Sequence, residues 1–275
     1  MIRKAVVAGQ FYPEDREELL KTVSAYVKEA KAQRGAIAAI SPHAGYPFSG
    51  KGAALSLCSL KNPEFIVLLG FSHSGLGARC GVSLCDWETP LGIVNNKKDI
   101  SEALAEKSSF SHDEDAHMHE HSIEVQLPFI QHLFPKAGIV PVSVSHDCDM
   151  EKASEELSEV LEGKDSCIVA SSDFTHHGAA FGYVPFQDRI RENIEKLDMG
   201  AIKHIIEMDS EGFLSYVEKT GATICGSAPI ALLLDTLKGS ADAELLKYYT
   251  SGDVTGDDSH SVSYASIAFY PSQKK

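Results

Sequence analysis

Of the twelve histidines in the chain, five follow short apolar runs almost at once. His43 comes after residues 36–40, His73 after 65–69, His146 after 138–144, and His176 with His177 after 167–170. A neutral imidazole can bind a metal or carry a proton, so histidines that recur at such places point to one of these chemistries. A single loop histidine is ordinarily hydrogen-bonded to nearby backbone, and His146 reads that way. His43 and His73 differ, because Ser41-Pro-His-Ala-Gly-Tyr46 and Gly70-Phe-Ser-His-Ser-Gly75 hold them in Gly- and Pro-bounded turns that fix a ligand's direction. Cys225, in Thr223-Ile-Cys-Gly-Ser-Ala-Pro-Ile230, leads into an apolar helical segment. A thiol there is expected to have a lowered pKa, which suits a nucleophile or a soft metal ligand, although a buried inert cysteine is the common alternative.

Asp173 and His176 stand three residues apart, a spacing at which a carboxylate could hold an imidazole in one tautomer for acid/base work. Capping of a following helix by Asp173 is the competing reading. The tract 115–121 is rich in possible ligands yet reads as a solvated charged loop. Only His121 with Glu124, one helical turn apart and followed by apolar residues 127–130, reads as aimed inward.

The elements that must position these groups are legible in outline. The runs 36–40, 65–69, 138–144 and 167–170 are short, β-branched or Ala-rich and bounded by turn residues, as buried strands are. Between them, Leu19, Leu20, Val23, Val27 and Ala30 share a helix face, and Asp149 is placed to cap a helix over 150–161. Further helices are predicted over 187–208, 212–219 and 228–237, a loop at 239–243, and strands over 244–249 and 261–270. Strands alternating with helices imply an α/β fold, a mostly parallel central sheet with helices on both faces. Such sheets bind ligands beyond the carboxyl ends of their strands, so the histidines should converge on one pocket. No repeat or linker interrupts residues 1–275, which read as a single domain.

The bulk numbers narrow the partners. With 43% apolar and 23% charged residues the chain is of ordinary globular composition. A formal charge of −14 repels nucleic acid and anionic membranes. Neither a signal-length nor a membrane-length apolar stretch is present, so a soluble, cytoplasmic protein is expected. The six scattered cysteines, without a CxxC pair, read as reduced thiols.

Several ordered motifs resemble the Memo family: Ser41-Pro-His-Ala-Gly-Tyr46 with Ser49-Gly50, Gly70-x-Ser72-His73, Glu120-His-Ser-Ile-Glu124 with Leu127-Pro128, Ser171-Ser-Asp-Phe-x-His176, Thr223-Ile-Cys-Gly226 and Ser259-x-Ser261-Val-Ser-Tyr-Ala265. Prokaryotic members are also called component B of the AmmeMemoRadiSam system and are structurally similar to class III extradiol dioxygenases. The resemblance implies that His43, His73 and Cys225 ligate a mononuclear transition metal, with Asp173 and His176 beside it and His121 lining the cleft. Ser74 stands where some members carry a second histidine. The dioxygenases use two histidines and a carboxylate, so a thiolate as third ligand shifts the expectation toward Fe(II) or Cu, with Zn also compatible.

The implied activity is that of a non-haem metal oxidoreductase acting on a small molecule. The alternative is a non-catalytic module that holds a peptide, such as one bearing phosphotyrosine, or a metal in the same cleft. A cysteine hydrolase pairing Cys225 with His176 ranks last because it gives His43 and His73 no role. Functional association with AMMECR1-like and radical SAM proteins is a further implication of the resemblance.

Overall fold

The computed structural model describes residues 1–272 apart from Ser74, Leu76 and Ala78. Its centre is four parallel strands in the order Ala38–Ser41, Ser166–Ser171, Phe65–Gly70 and Gly138–Val144. Both margins are antiparallel. Ser261–Pro271 pairs with Ala38–Ser41 and with Ala241–Thr250, while Cys80–Val82 pairs with Gly138–Val144. The sheet is therefore parallel where both faces are covered and mixed outside that centre.

Side chains alternate across the strands, and each set joins a separate core. Ile40, Val67, Leu69, Val142 and Ala170 face the helices Met150–Leu161, Ile190–Ile206, Ser210–Thr220 and Ser227–Thr236. Ala39, Ile66, Leu68, Ile139 and Val169 face Arg16–Glu29, Tyr46–Ser59 and Leu127–Leu133. The Asp149 carboxylate accepts the Lys152 backbone N–H at 3.2 Å, capping Met150–Leu161 as its sequence predicts.

Several features differ from expectation. The helix Tyr46–Ser59 carries no amphipathic signal because nearly all of it is buried. Its glycines admit close packing: a Cβ at Gly50 would lie 2.6 Å from the Tyr26 ring, and one at Gly52 2.9 Å from Pro42. Of residues 239–243, expected as loop, 241–243 already belong to the strand Ala241–Thr250. A small sheet of Ile2–Arg3, Asp86–Thr89 and Gly92–Val94 lies outside the main one. The reading of all six cysteines as thiols is corrected for one pair. Cys80 and Cys148 form a disulfide with Cα atoms 6.4 Å apart, tying the margin strand to the loop after Gly138–Val144. Cys58, Cys85 and Cys167 are buried free thiols. Among the described residues, no helix is long and apolar enough to cross a membrane.

Candidate metal centre

The four parallel strands deliver their histidines to the same end of the sheet. His43 is the most firmly held. Its backbone N–H donates to Asp173 Oδ1 at 2.8 Å, and its ring Nδ1 lies 3.0 Å from Ser171 Oγ. The Ser171 hydroxyl spends its proton on the Ser122 carbonyl at 2.6 Å and accepts from Gln126 Nε2 at 2.9 Å. Its remaining lone pair makes it an acceptor, so His43 Nδ1 carries the proton and Nε2 keeps its lone pair. That Nε2 lies 3.3 Å from Cys225 Sγ. Burial, followed by the neighbouring His121 and His73 rings, holds the His43 pKa well below its ordinary value, so the ring stays neutral.

His73 is held by a residue given no role from the sequence. Glu120 accepts the His73 backbone N–H through Oε2 at 2.7 Å and the ring Nδ1 through Oε1 at 2.9 Å. The same Oε1 accepts the backbone N–H groups of His121 and Ser122 at 2.8 Å. Burial alone would raise the Glu120 pKa, but hydrogen bonding from His73 and Ser122 holds it well below the usual carboxylate range. The His121 ring stacks on His73 with centroids 4.5 Å apart and meets His43 edge-on at 5.4 Å. Its pKa is lowered to about 4, first by burial and then by His73. One ring nitrogen from each of His43, His73 and His121 lies within 4.8 Å of the others.

Cys225 precedes the helix Ser227–Thr236, as expected, yet the inferred pKa direction is reversed. Burial and the Asp173 carboxylate push the metal-free thiol up, outweighing the hydrogen bond from the Asp173 N–H at 3.3 Å. Asp173 itself caps no helix and makes no hydrogen bond to His176. Its carboxyl accepts the amides of His43 and Ala44, and burial raises its pKa. The His176 ring bonds the Thr223 carbonyl through Nδ1 at 3.0 Å, which leaves Nε2 as the ring's acceptor. Asp173 still acts on His176 electrostatically.

A cavity of about 400 Å³ opens on this group, lined by Phe71, His73, His146, His176, Phe181 and Cys225. His146, read as an ordinary loop residue, thus faces the cleft, with its ring 5.6 Å from that of Phe71. Two other residues of the 115–124 region depart from expectation. His117 is fully buried, with Nε2 2.9 Å from the Gly81 carbonyl. Glu124 pairs with Arg3 and accepts from Tyr12 Oη at 2.6 Å, anchoring the N-terminal segment and not the pocket.

The donors fit a transition ion. Two ligands about 2.0 to 2.3 Å from a tetrahedral metal lie roughly 3.3 to 3.8 Å apart. The 3.3 Å separation of Cys225 Sγ from His43 Nε2 falls at the close end of that span, whereas the His43, His73 and His121 nitrogens, within 4.8 Å of one another, would have to draw in. Of the predicted ligands the structure gathers His43 and His73 with His121, and sets Cys225 against His43 outside that three-histidine group. Imidazole with thiolate is a donor set for Fe, Cu or Zn, not for Mg or Ca.

A family model described as Memo-like protein matches residues 3–268. The chain belongs to the Memo-like family. A MEMO1 family protein of Pyrococcus furiosus is 38% identical over 97% of this chain and 98% of its own length. Relatives of the same description from Nitrosopumilus maritimus and Methanopyrus kandleri are 36% and 37% identical, each over 98% of this chain and 100% and 99% of their own lengths. An uncharacterized protein from Escherichia coli K12 shares the fold at a TM-score of 0.52, with 13% identity over 84% of this chain and 98% of that one. Family and fold therefore rest on the whole chain, while the cluster of His43, His73 and His121 is seen in the Memo-like chain's own side chains.

Proposed function

We propose that this Memo-like chain is a mononuclear metal oxidoreductase in which His43, His73 and Cys225 hold one ion and His121 converges on the same point. The observation that carries the reading is that a neutral imidazole with a bare Nε2 stands 3.3 Å from a thiol, beside two further imidazoles. Fe(II) or Cu suits the thiolate best, and Zn also fits the donors. The ion, when bound, would supply the redox or Lewis-acid chemistry.

The chain's own residues do the rest. His176, with Nδ1 on the Thr223 carbonyl, offers Nε2 as a proton acceptor for a small molecule in the cavity. Asp173 fixes the His43 turn, and Phe71 and Phe181 line the open cleft. A cysteine hydrolase that pairs Cys225 with His176 is the poorer reading, because the imidazole hydrogen-bonded to Cys225 is His43 and the pairing leaves His73 without a role.

The test is metal analysis of protein prepared without a histidine tag or nickel resin, followed by oxygen consumption on a panel of catechols, thiols and small phenols. Near-stoichiometric iron or copper with metal-dependent turnover is expected. Bound metal without turnover would move the weight to a non-catalytic peptide- or metal-holding module, and failure to bind any transition metal would overturn the reading.

A further inference from the structure

Glu120 lies in a tract that looks solvated in sequence, yet it is buried and its carboxylate is surrounded by donors. Oε2 takes the His73 backbone N–H, and Oε1 takes His73 Nδ1, the His121 N–H and the Ser122 N–H. His121 Nδ1 also stands 3.4 Å from Oε1. The carboxylate is anchored through its own backbone, since Arg3 donates to the Glu120 carbonyl at 2.5 Å and to the His117 carbonyl at 3.2 Å. The loop is pressed on the strand end that launches the His73 turn. A Cβ at Gly70 would lie 2.6 Å from Ile123 and 2.7 Å from Ser122, so only glycine admits that approach.

We infer that Glu120 is the positioning residue of the proposed metal centre, one carboxylate that fixes the His73 and His121 rings together so that both turn Nε2 toward a shared ion. The inference rests on the metal reading above. An ionised carboxylate only accepts, so His73 Nδ1 must carry the proton and Nε2 must carry the lone pair. A carboxylate behind an imidazole also raises its basicity as a ligand. Glutamine cannot substitute, because its NH₂ would face one of the four donors that now converge on two oxygens.

Two measurements decide the matter. In ¹⁵N-histidine NMR of the metal-free wild type, His73 is expected as the Nδ1–H tautomer, and Glu120→Gln should convert it to a mixture. In competition titration with Zn²⁺ as a redox-silent probe, Glu120→Gln should weaken binding by about 10- to 100-fold. Glu114→Gln, which removes a carboxylate that serves Ser83 and Leu84, should bind as wild type does. An Nε2–H tautomer at His73 in wild type overturns the inference even if the variant fails to fold. Unaltered Zn²⁺ affinity in a folded Glu120→Gln overturns it as well. A wild type that shows the expected tautomer but takes up no Zn²⁺, iron or copper overturns the metal reading instead, and leaves Glu120 as a clamp on two histidines.

Discussion

The His43 and His73 turns both leave parallel strands at the same end of the sheet, but they are built to different standards of access. His43 is 1% exposed, and its backbone and ring are satisfied by Asp173 and Ser171 from a neighbouring strand and its following loop. The His73 side chain is 34% exposed, and its support comes from one carboxylate in a separate loop. The difference teaches that one side of the site is a fixed floor and the other an open wall. The proposed ion or substrate would arrive past His73, His146 and His176, which line the cavity, because His43 is buried.

The strongest test of that contrast is deletion of the floor. His43→Gln should lower metal affinity by more than the roughly 100-fold that loss of a supporting partner costs, leaving metal below detection in purified protein. His73→Gln should cost less, and equal losses measured by the same metal analysis would break the comparison. Next in size, His176→Gln should keep its metal while turnover on a true substrate falls by about 10²- to 10⁴-fold, the usual contribution of a positioned acid or base. Unchanged oxygen consumption would remove His176 from proton transfer.

Cys225→Ser should weaken Fe(II) and Cu(I) binding in anaerobic titration, whereas Cys58→Ser and Cys167→Ser should not, because those two thiols are buried away from the imidazoles. Equal affinities would return Cys225 to an inert role.

The smallest effect concerns burial itself. His117 is as buried as His43 but faces the Gly81 carbonyl, and burial lowers its pKa. The unfolded chain takes up this proton near pH 6.5 while the folded one resists, so the contribution to stability is complete above that pH and is lost as pH falls. Thermal melts should decline below about pH 6.5, and His117→Gln should make that decline shallower. A decline of the same slope in the variant would place the acid sensitivity elsewhere.

Much of this architecture was legible because burial in parallel strands leaves a compact signature. The runs 65–69 and 138–144 became Phe65–Gly70 and Gly138–Val144, and the following histidines reached one crevice. Chemistry that depends on distant partners was not legible. Glu120 and His117 look solvated among Asp115, His119 and His121 until Arg3 folds over the tract. The thiol of Cys225 was read from its helix terminus alone, and neither its burial nor Asp173 is local in sequence. The same holds for the Cys80–Cys148 disulfide, whose partners are 68 residues apart.

Cys225 and His43 are 182 residues apart, and Glu120 is 47 from the histidine that it supports. The proposed ligands His43, His73 and Cys225 therefore form no local chelate of the kind that lets zinc nucleate a small finger. Closing loops of this length is an entropic cost that the hydrophobic layers on both faces of the sheet must meet before any donor pair exists. Capture of the proposed ion would thus follow folding and not template it. A chelator should then strip the proposed ion and leave a folded, reloadable chain, and the ion acquired would be set by what is available after folding rather than during synthesis.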